Sequence, residues 1–212
     1  MATAWVLGNG HSRREVDLQK LQSHGKIYGC NALYREFEPD VLVATDTPIS
    51  ELIQRTQYAL SHCFYTRYPI EGLGAQRIPE DYFVYSSGPA AAGIAVDHGH
   101  DHIVLIGFDL GPGANNSYNN VYADTEFYRR STAQPVSATA WIEQLIKLVK
   151  KFDQVQFRRV LGTHATRVPE FDRLGLEARP VRHVQGAGRQ KGVRVLRIAG
   201  REIGHHQGQN LF

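Results

Sequence analysis

Short apolar runs alternate with amphipathic stretches along the first 160 residues. Ala4 to Leu7, Lys26 to Cys30 and Val41 to Ala44 read as buried strands, with Val16 to Leu21 and Ile49 to Leu60 as helices between and after them. His62 to Tyr65 and Phe83 to Tyr85 read as further strands, Gly88 to His98 as a helix of small residues, and His102 to Gly107 as a strongly apolar strand. Val136 to Phe152 is the clearest amphipathic helix, carrying Trp141, Leu145, Leu148 and Val149 on one face, and Val155 to Val160 follows as a last strand. The alternation predicts an α/β fold: an open, mostly parallel sheet with helices on both faces.

Several of these strands end in a polar residue: Asn9, Asn31, Asp46 and Asp109. In open parallel sheets, ligands bind outside the carboxyl ends of the strands at a topological switch point, so the set marks a candidate pocket lined by Asn9, Asn31, Asp46, Ser87 and Asp109. Each residue also has an ordinary use as a cap or turn former. The first strand runs into Gly8-Asn9-Gly10-His11-Ser12 and then into the charged segment Arg13 to Leu21. A strand, a glycine turn and a helix opening together aim backbone N–H groups at one spot, which suits a phosphate. The turn is neither G-x-G-x-x-G nor a G-K-[ST] loop.

A chain of 212 residues with 42% hydrophobic content can bury one sizeable core. No stretch approaches the ~20 apolar residues of a membrane span, and the start lacks a basic region followed by a long apolar one, so a cytoplasmic protein is expected. Cys30 and Cys63 are too few for a disulfide framework and read as reduced core thiols. Asp97-His98-Gly99-His100-Asp101-His102 spans a helix end, a turn and a strand start, so its side chains should diverge, and no metal site is expected. The net charge of +3 hides an asymmetry: from Ala178 to Phe212 seven basic residues face one acid, Glu202, leaving the body net negative. The domain division follows that shift, with residues 1–177 as the ligand-binding domain and 178–212 as a basic, Gly-rich interaction arm. In the arm, Pro180 to Gln185 could pair with Val193 to Ile198 as a β-hairpin that contacts protein subunits. With Phe212 as its one aromatic, the arm is poorly equipped to stack nucleic-acid bases.

Four ordered motifs carry a family resemblance: Gly8-Asn9-Gly10-His11-Ser12, Gly29-Cys30-Asn31-Ala32-Leu33-Tyr34, Ser86-Ser87-Gly88 and Leu105-Ile106-Gly107-Phe108-Asp109. Over roughly the first 130 residues the chain resembles the bacterial sialyltransferases of glycosyltransferase family 42. It also resembles a wider set of Rossmann-like proteins, some hydroxymethyldihydropterin pyrophosphokinase-like and many encoded by bacteriophages. The resemblance implies a Rossmann-like fold and a CMP-sugar-like donor as substrate, with no separate cofactor required. It places Gly8, Asn9, Gly10 and Ser12 at the phosphate, Asn31 under the cytidine and sugar, Asp46 and Asp109 at further polar contacts, and Ser87 with Gly88 at the donor's carboxylate or ribose. Tyr118 and Tyr122 fall where that family stabilises its leaving phosphate.

Two departures stand out. His11 replaces the family's proline, and Arg129-Arg130-Ser131-Thr132-Ala133-Gln134 has no histidine where the family keeps its general base. His11 or His164 would have to serve instead. The expectation is therefore a nucleotide-sugar-dependent transferase, with His11, Tyr118 and Tyr122 as catalytic candidates. Its alternative is a non-catalytic structural or accessory component of a larger assembly, such as a phage particle, that reuses the fold. Location would then be the bacterial host cytoplasm or the virion.

Overall fold

The computed structural model describes residues 2–163 and 165–178, together with residues 197–198 and 201–202. The chain divides into two compact units, Met1–Ala178 and Arg179–Phe212. In the first unit the strands are β1 (Thr3–Leu7), β2 (Lys26–Cys30), β3 (Val41–Ala44), β4 (Phe64–Thr66), β5 (Gln76–Arg77), β6 (His102–Ile106), β7 (Gln156–Val160) and β8 (Glu177–Ala178). They form one sheet in the order β5-β4-β3-β2-β1-β6-β7-β8, and every neighbouring pair is parallel. The chain winds outward from β1 to β5, returns, and winds outward again from β6. The strand order therefore reverses between β1 and β6, and their carboxyl ends frame the switch point of this Rossmann-like α/β fold.

The helices are α1 (Leu18–Gln22), α2 (Thr47–Arg55), α3 (Ser87–Asp97), α4 (Thr139–Lys151) and α5 (Pro169–Arg173). Pleat alternation sorts the strand residues: Ala4, Val6, Tyr28, Cys30, Val41, Val43, Ile103 and Leu105 share one buried cluster with α3 and with Leu145 and Leu148 of α4. Trp5, Leu7, Ile27, Leu42 and Val104 alternate with them and are equally buried, so the opposite face is covered as well. There α1 meets β2 and α2 meets β3. Helix α3 makes the return crossing and touches β1, β2, β3 and β6 on one side and α4 on another. Close approach from several sides explains its small residues. A Cβ on Gly93 would lie 2.5 Å from the Tyr82 ring, and one on Gly88 2.8 Å from the Phe108 ring.

Several elements differ from the sequence reading. Phe83 to Tyr85 is not a strand, because the carbonyls of Phe83 and Tyr85 accept from the Arg67 guanidinium at 2.7 and 2.8 Å and make no ladder. The fifth strand is instead the exposed pair Gln76–Arg77. The expected helix from Ile49 to Leu60 ends at Arg55, where Gln57 turns to φ 61°. Helix α4 starts at Thr139 rather than Val136. Val155 to Val160 is not the last strand of the sheet, since α5 carries the chain on to β8. Arg197–Ile198 pairs antiparallel with Arg201–Glu202. The rest of the expected hairpin, His205, His206 and His164 lie outside the described residues.

The histidines near α3 go to separate partners. His98 sits between the hydroxyls of Tyr28 and Tyr65, at 2.9 and 3.1 Å, His100 Nδ1 meets the Ala2 carbonyl, and His102 Nδ1 meets Thr3 Oγ1 at 3.2 Å. Burial lowers the pKa of His102, helped by Arg158 and opposed by Asp101. The unfolded chain therefore takes up this proton first as pH falls through the ordinary histidine range, so stability is present above that range and lost below it. The midpoint of thermal unfolding should fall between about pH 7.5 and pH 5. His102→Gln should flatten part of that slope; His98, whose pKa is lowered in the same sense, retains the remainder. An unchanged pH dependence in His102→Gln contradicts the assignment.

Candidate functional site

The two loops that frame the switch point are zipped to each other. Gly8 N–H donates to the Ile106 carbonyl and Gly10 N–H to the Gly107 carbonyl, both at 2.8 Å. A Cβ on Gly8 would lie 2.6 Å from Gly107 O, and one on Gly10 2.5 Å from Asp109 Cγ. Gly10 has φ −67° and ψ 153°, a conformation open to any residue, so it is glycine for space and not for backbone freedom. What approaches it is the chain's own carboxylate. Asp109, 3% exposed, accepts from Ser12 N–H at 3.1 Å and from Ser12 Oγ. The helix opening expected after the turn is a five-residue 3₁₀ segment, His11–Glu15, and its first donors are turned to internal acceptors: His11 N–H to Asn119 Oδ1, Ser12 N–H to Asp109. The turn built for a phosphate in the sequence reading is used here by Asp109 and by the β6 loop.

Asp109 is thus held within the turn by Ser12. A second polar cluster forms at the ends of β2 and β3. Ser87 Oγ donates to Asn31 Oδ1 at 2.8 Å, lies 3.0 Å from Thr45 Oγ1, and accepts from Thr45 N–H at 3.0 Å. Ser87 opens α3, so this helix start is tied to both strands. Asn31 adopts φ 52°, a left-handed conformation that Asn tolerates better than most side chains. With its oxygen committed to Ser87, the Asn31 amide nitrogen is the donor this arrangement leaves for a ligand. Gly88 follows directly, and Asp46 is exposed at the end of β3. Gln144 of α4 completes the rim by accepting from Ser86 N–H at 3.0 Å.

A long irregular segment, residues 110–138, lies over these ends. Val121 N–H donates to Asn9 O, Arg14 Nη2 donates to Val121 O, and Tyr128 Oη accepts from Ala32 N–H at 3.3 Å. Among the described residues, Leu110, Asn115, Asn116, Asp124 and Phe127 of this segment have positive φ, and only two other non-glycine residues do, so the contacts of the segment hold a backbone that local preference disfavours. Arg13 is the main anchor. Its guanidinium, 4% exposed, reaches Asn9 Oδ1 at 3.3 Å, the Glu36 carboxylate and Tyr122 Oη at 3.0 Å, and stands 5.1 Å from the centre of the Tyr122 ring. Tyr122 Oη in turn donates to Glu36 at 2.6 Å, and burial raises its pKa, so the phenol stays protonated.

The other catalytic candidates are placed as follows. His11 Nε2 lies 3.1 Å from the Asn120 carbonyl, which can only accept, so Nε2 carries a proton. Asn120 Oδ1 accepts from Tyr122 N–H, which fixes its amide, and Asn120 Nδ2 donates to Tyr118 Oη at 3.1 Å. The Tyr118 proton is therefore directed elsewhere. Burial raises the Tyr118 pKa, opposed by the hydrogen bond from Asn120 and by the charge of Arg129. The structure thus groups Asn31 with Ser87, Asp109 with Gly10 and Ser12, and Tyr122 with Arg13.

Sequence reasoning missed Arg13, Glu36, Thr45, Arg67, Tyr128 and Gln144. Two clefts, of about 590 and 310 Å³, lie at the other end of the sheet: one around Lys150, Gln156 and Gly175, the other around Gln22, Lys26 and Asp40. Among the described residues no helix is long and apolar enough to cross a membrane. No family model, curated protein or solved structure matches the chain.

Proposed function

We propose that the chain binds a nucleotide sugar of the CMP-sugar type at the carboxyl ends of β1, β2 and β3 and transfers its sugar to an acceptor. The observation that carries this reading is the Asn31–Ser87–Thr45 cluster, which costs a left-handed asparagine and fixes its amide at the carboxyl ends of β2 and β3. In this reading Asn31 and the Ser87–Gly88 backbone meet the donor's sugar and ribose, and Asn9 and Asp46 flank it. The reaction is a displacement at the anomeric carbon. The acceptor oxygen bonds to that carbon, the bond from carbon to phosphate oxygen breaks, and the nucleoside monophosphate leaves. Tyr118, held protonated and aimed by Asn120, donates to the leaving phosphate, and His11 is the residue assigned to take the acceptor's proton.

The test is to incubate the protein with CMP-sugars and acceptor glycans and to measure release of CMP. Turnover is expected. Tyr118→Phe should reduce kcat by roughly 10²-fold with little change in donor binding, since a general acid typically contributes 10²- to 10⁴-fold. Equal kcat in Tyr118→Phe removes the phenol from the reaction.

A second reading, a non-catalytic subunit of a larger assembly, is favoured by one specific observation: the donors of the glycine turn are spent on Asp109, Asn119 and Gly107, contacts that rigidify the fold. On this reading the basic segment 178–212 contacts neighbouring subunits. CMP-sugar binding without turnover, together with loss of an oligomer on truncation after Glu177, would select it.

A further inference from the structure

Beyond the donor site, one exposed feature has no part in the core. Tyr68 is 57% exposed and Val84 75% exposed, although both lie on backbone that is firmly held. Gln54, fully buried, donates to Tyr68 O at 3.2 Å and accepts from Ile70 N–H at 2.6 Å, pinning the chain on both sides of the tyrosine. The neighbouring Arg67 spans three carbonyls, Phe83, Tyr85 and Thr45, and so ties the 83–85 rim to the end of β3 one residue before the exposed Asp46. The Tyr68 and Phe83 rings meet edge to face, with centroids 5.9 Å apart and planes at 90°. The Arg77 guanidinium stands 4.6 Å from the centre of the Phe83 ring and reaches Glu80 at 3.1 Å.

We propose that Tyr68, braced by Phe83, is the stacking platform for a neutral pyranose ring, the acceptor glycan of the transferase reading, with Asp46 accepting from its hydroxyls. The proposal rests on that reading for the role of the sugar, and on the geometry for the site. A pyranose presents a face of C–H bonds with partial positive charge, which suits the electron-rich face of an aromatic ring. A pre-organised ring loses little entropy on binding. Two exposed apolar side chains fall far short of the ~800 Å² per partner of a stable protein interface but match one sugar ring. The charges beside the platform are compensated, since Arg77 over the Phe83 ring is paired with Glu80, which suits a neutral, hydroxyl-rich ligand.

The test uses the full chain without nucleotide, titrated with neutral mono- and disaccharides of the glucose and galactose series and followed by saturation-transfer NMR. Binding is expected, weakened roughly tenfold or more in Tyr68→Ala and largely retained in Tyr68→Phe, which keeps the ring. Because Tyr68 is exposed, Tyr68→Ala should unfold at the wild-type temperature. Absence of saccharide binding, or equal binding by Tyr68→Ala, overturns the proposal. CMP-sugar binding is measured in parallel: donor binding without saccharide binding defeats this inference alone, and saccharide binding without donor binding defeats the donor reading alone.

Discussion

Gly10→Ala should destabilise the protein in the absence of any ligand. A glycine with φ −67° and ψ 153° would ordinarily gain ~0.4–1 kcal/mol on becoming alanine, because the unfolded chain loses freedom. Here the sign reverses. The new methyl would stand 2.5 Å from Asp109 Cγ and 2.7 Å from the Gly107 carbonyl oxygen, and that oxygen belongs to backbone tied to Gly10 itself. Displacing Asp109 also breaks its bonds to Ser12. Overpacking of this kind costs about 1–3 kcal/mol, or a fall of roughly 2–12 °C in melting temperature for a chain of this size. Gly10→Val should cost more. Calorimetry on the apo protein decides the matter, and a variant as stable as wild type, or more so, would show that the loop has room to spare and that its glycine serves something other than Asp109.

Glu36→Gln is expected to be the more damaging half of the Arg13–Glu36 pair. Arg13 is buried while the Glu36 side chain is half exposed, so removing the carboxylate's charge strands a desolvated guanidinium, whereas removing the guanidinium leaves a carboxylate that water can reach. Stranding a buried charge costs about 3–5 kcal/mol at full burial and less here, because the glutamine can still accept a hydrogen bond. Arg13→Met should cost less than Glu36→Gln, and the double variant should recover part of the loss. A double-mutant cycle read by urea unfolding gives the coupling. Since Tyr122 hangs on the same pair, hydrogen exchange in residues 117–130 should quicken in Glu36→Gln ahead of exchange in the sheet. Additive single-variant effects, with unchanged exchange, would detach the cover segment from this anchor.

The sheet was legible because its central strands are short apolar runs, Lys26–Cys30 and Val41–Ala44 matching residue for residue. Its edges were not. Gln76–Arg77 is polar and exposed and leaves no hydrophobic signal, and Phe83 to Tyr85 looks like a strand while its carbonyls belong to Arg67. The strand-end polar residues were legible as a set, but one sequence pattern served two clusters. Asn31 joins Ser87, whereas Asp109 turns inward to fill the glycine turn, and nothing local in the sequence separates an aspartate that meets a ligand from one that replaces it. Arg13 was invisible for a related reason. In a charged segment an arginine reads as solvated, and only the arrival of Glu36 and Tyr122, from 23 and 109 residues away, makes its burial tolerable.

The most direct test of the donor site is isothermal titration of CMP and a CMP-sugar into the wild-type protein and into Asn31→Ala. Wild type should bind both, and Asn31→Ala, losing an amide fixed by Ser87, should bind roughly tenfold more weakly, about 1.4 kcal/mol. Failure of wild type to bind either nucleotide, or equal affinity in the two proteins, would contradict the donor site.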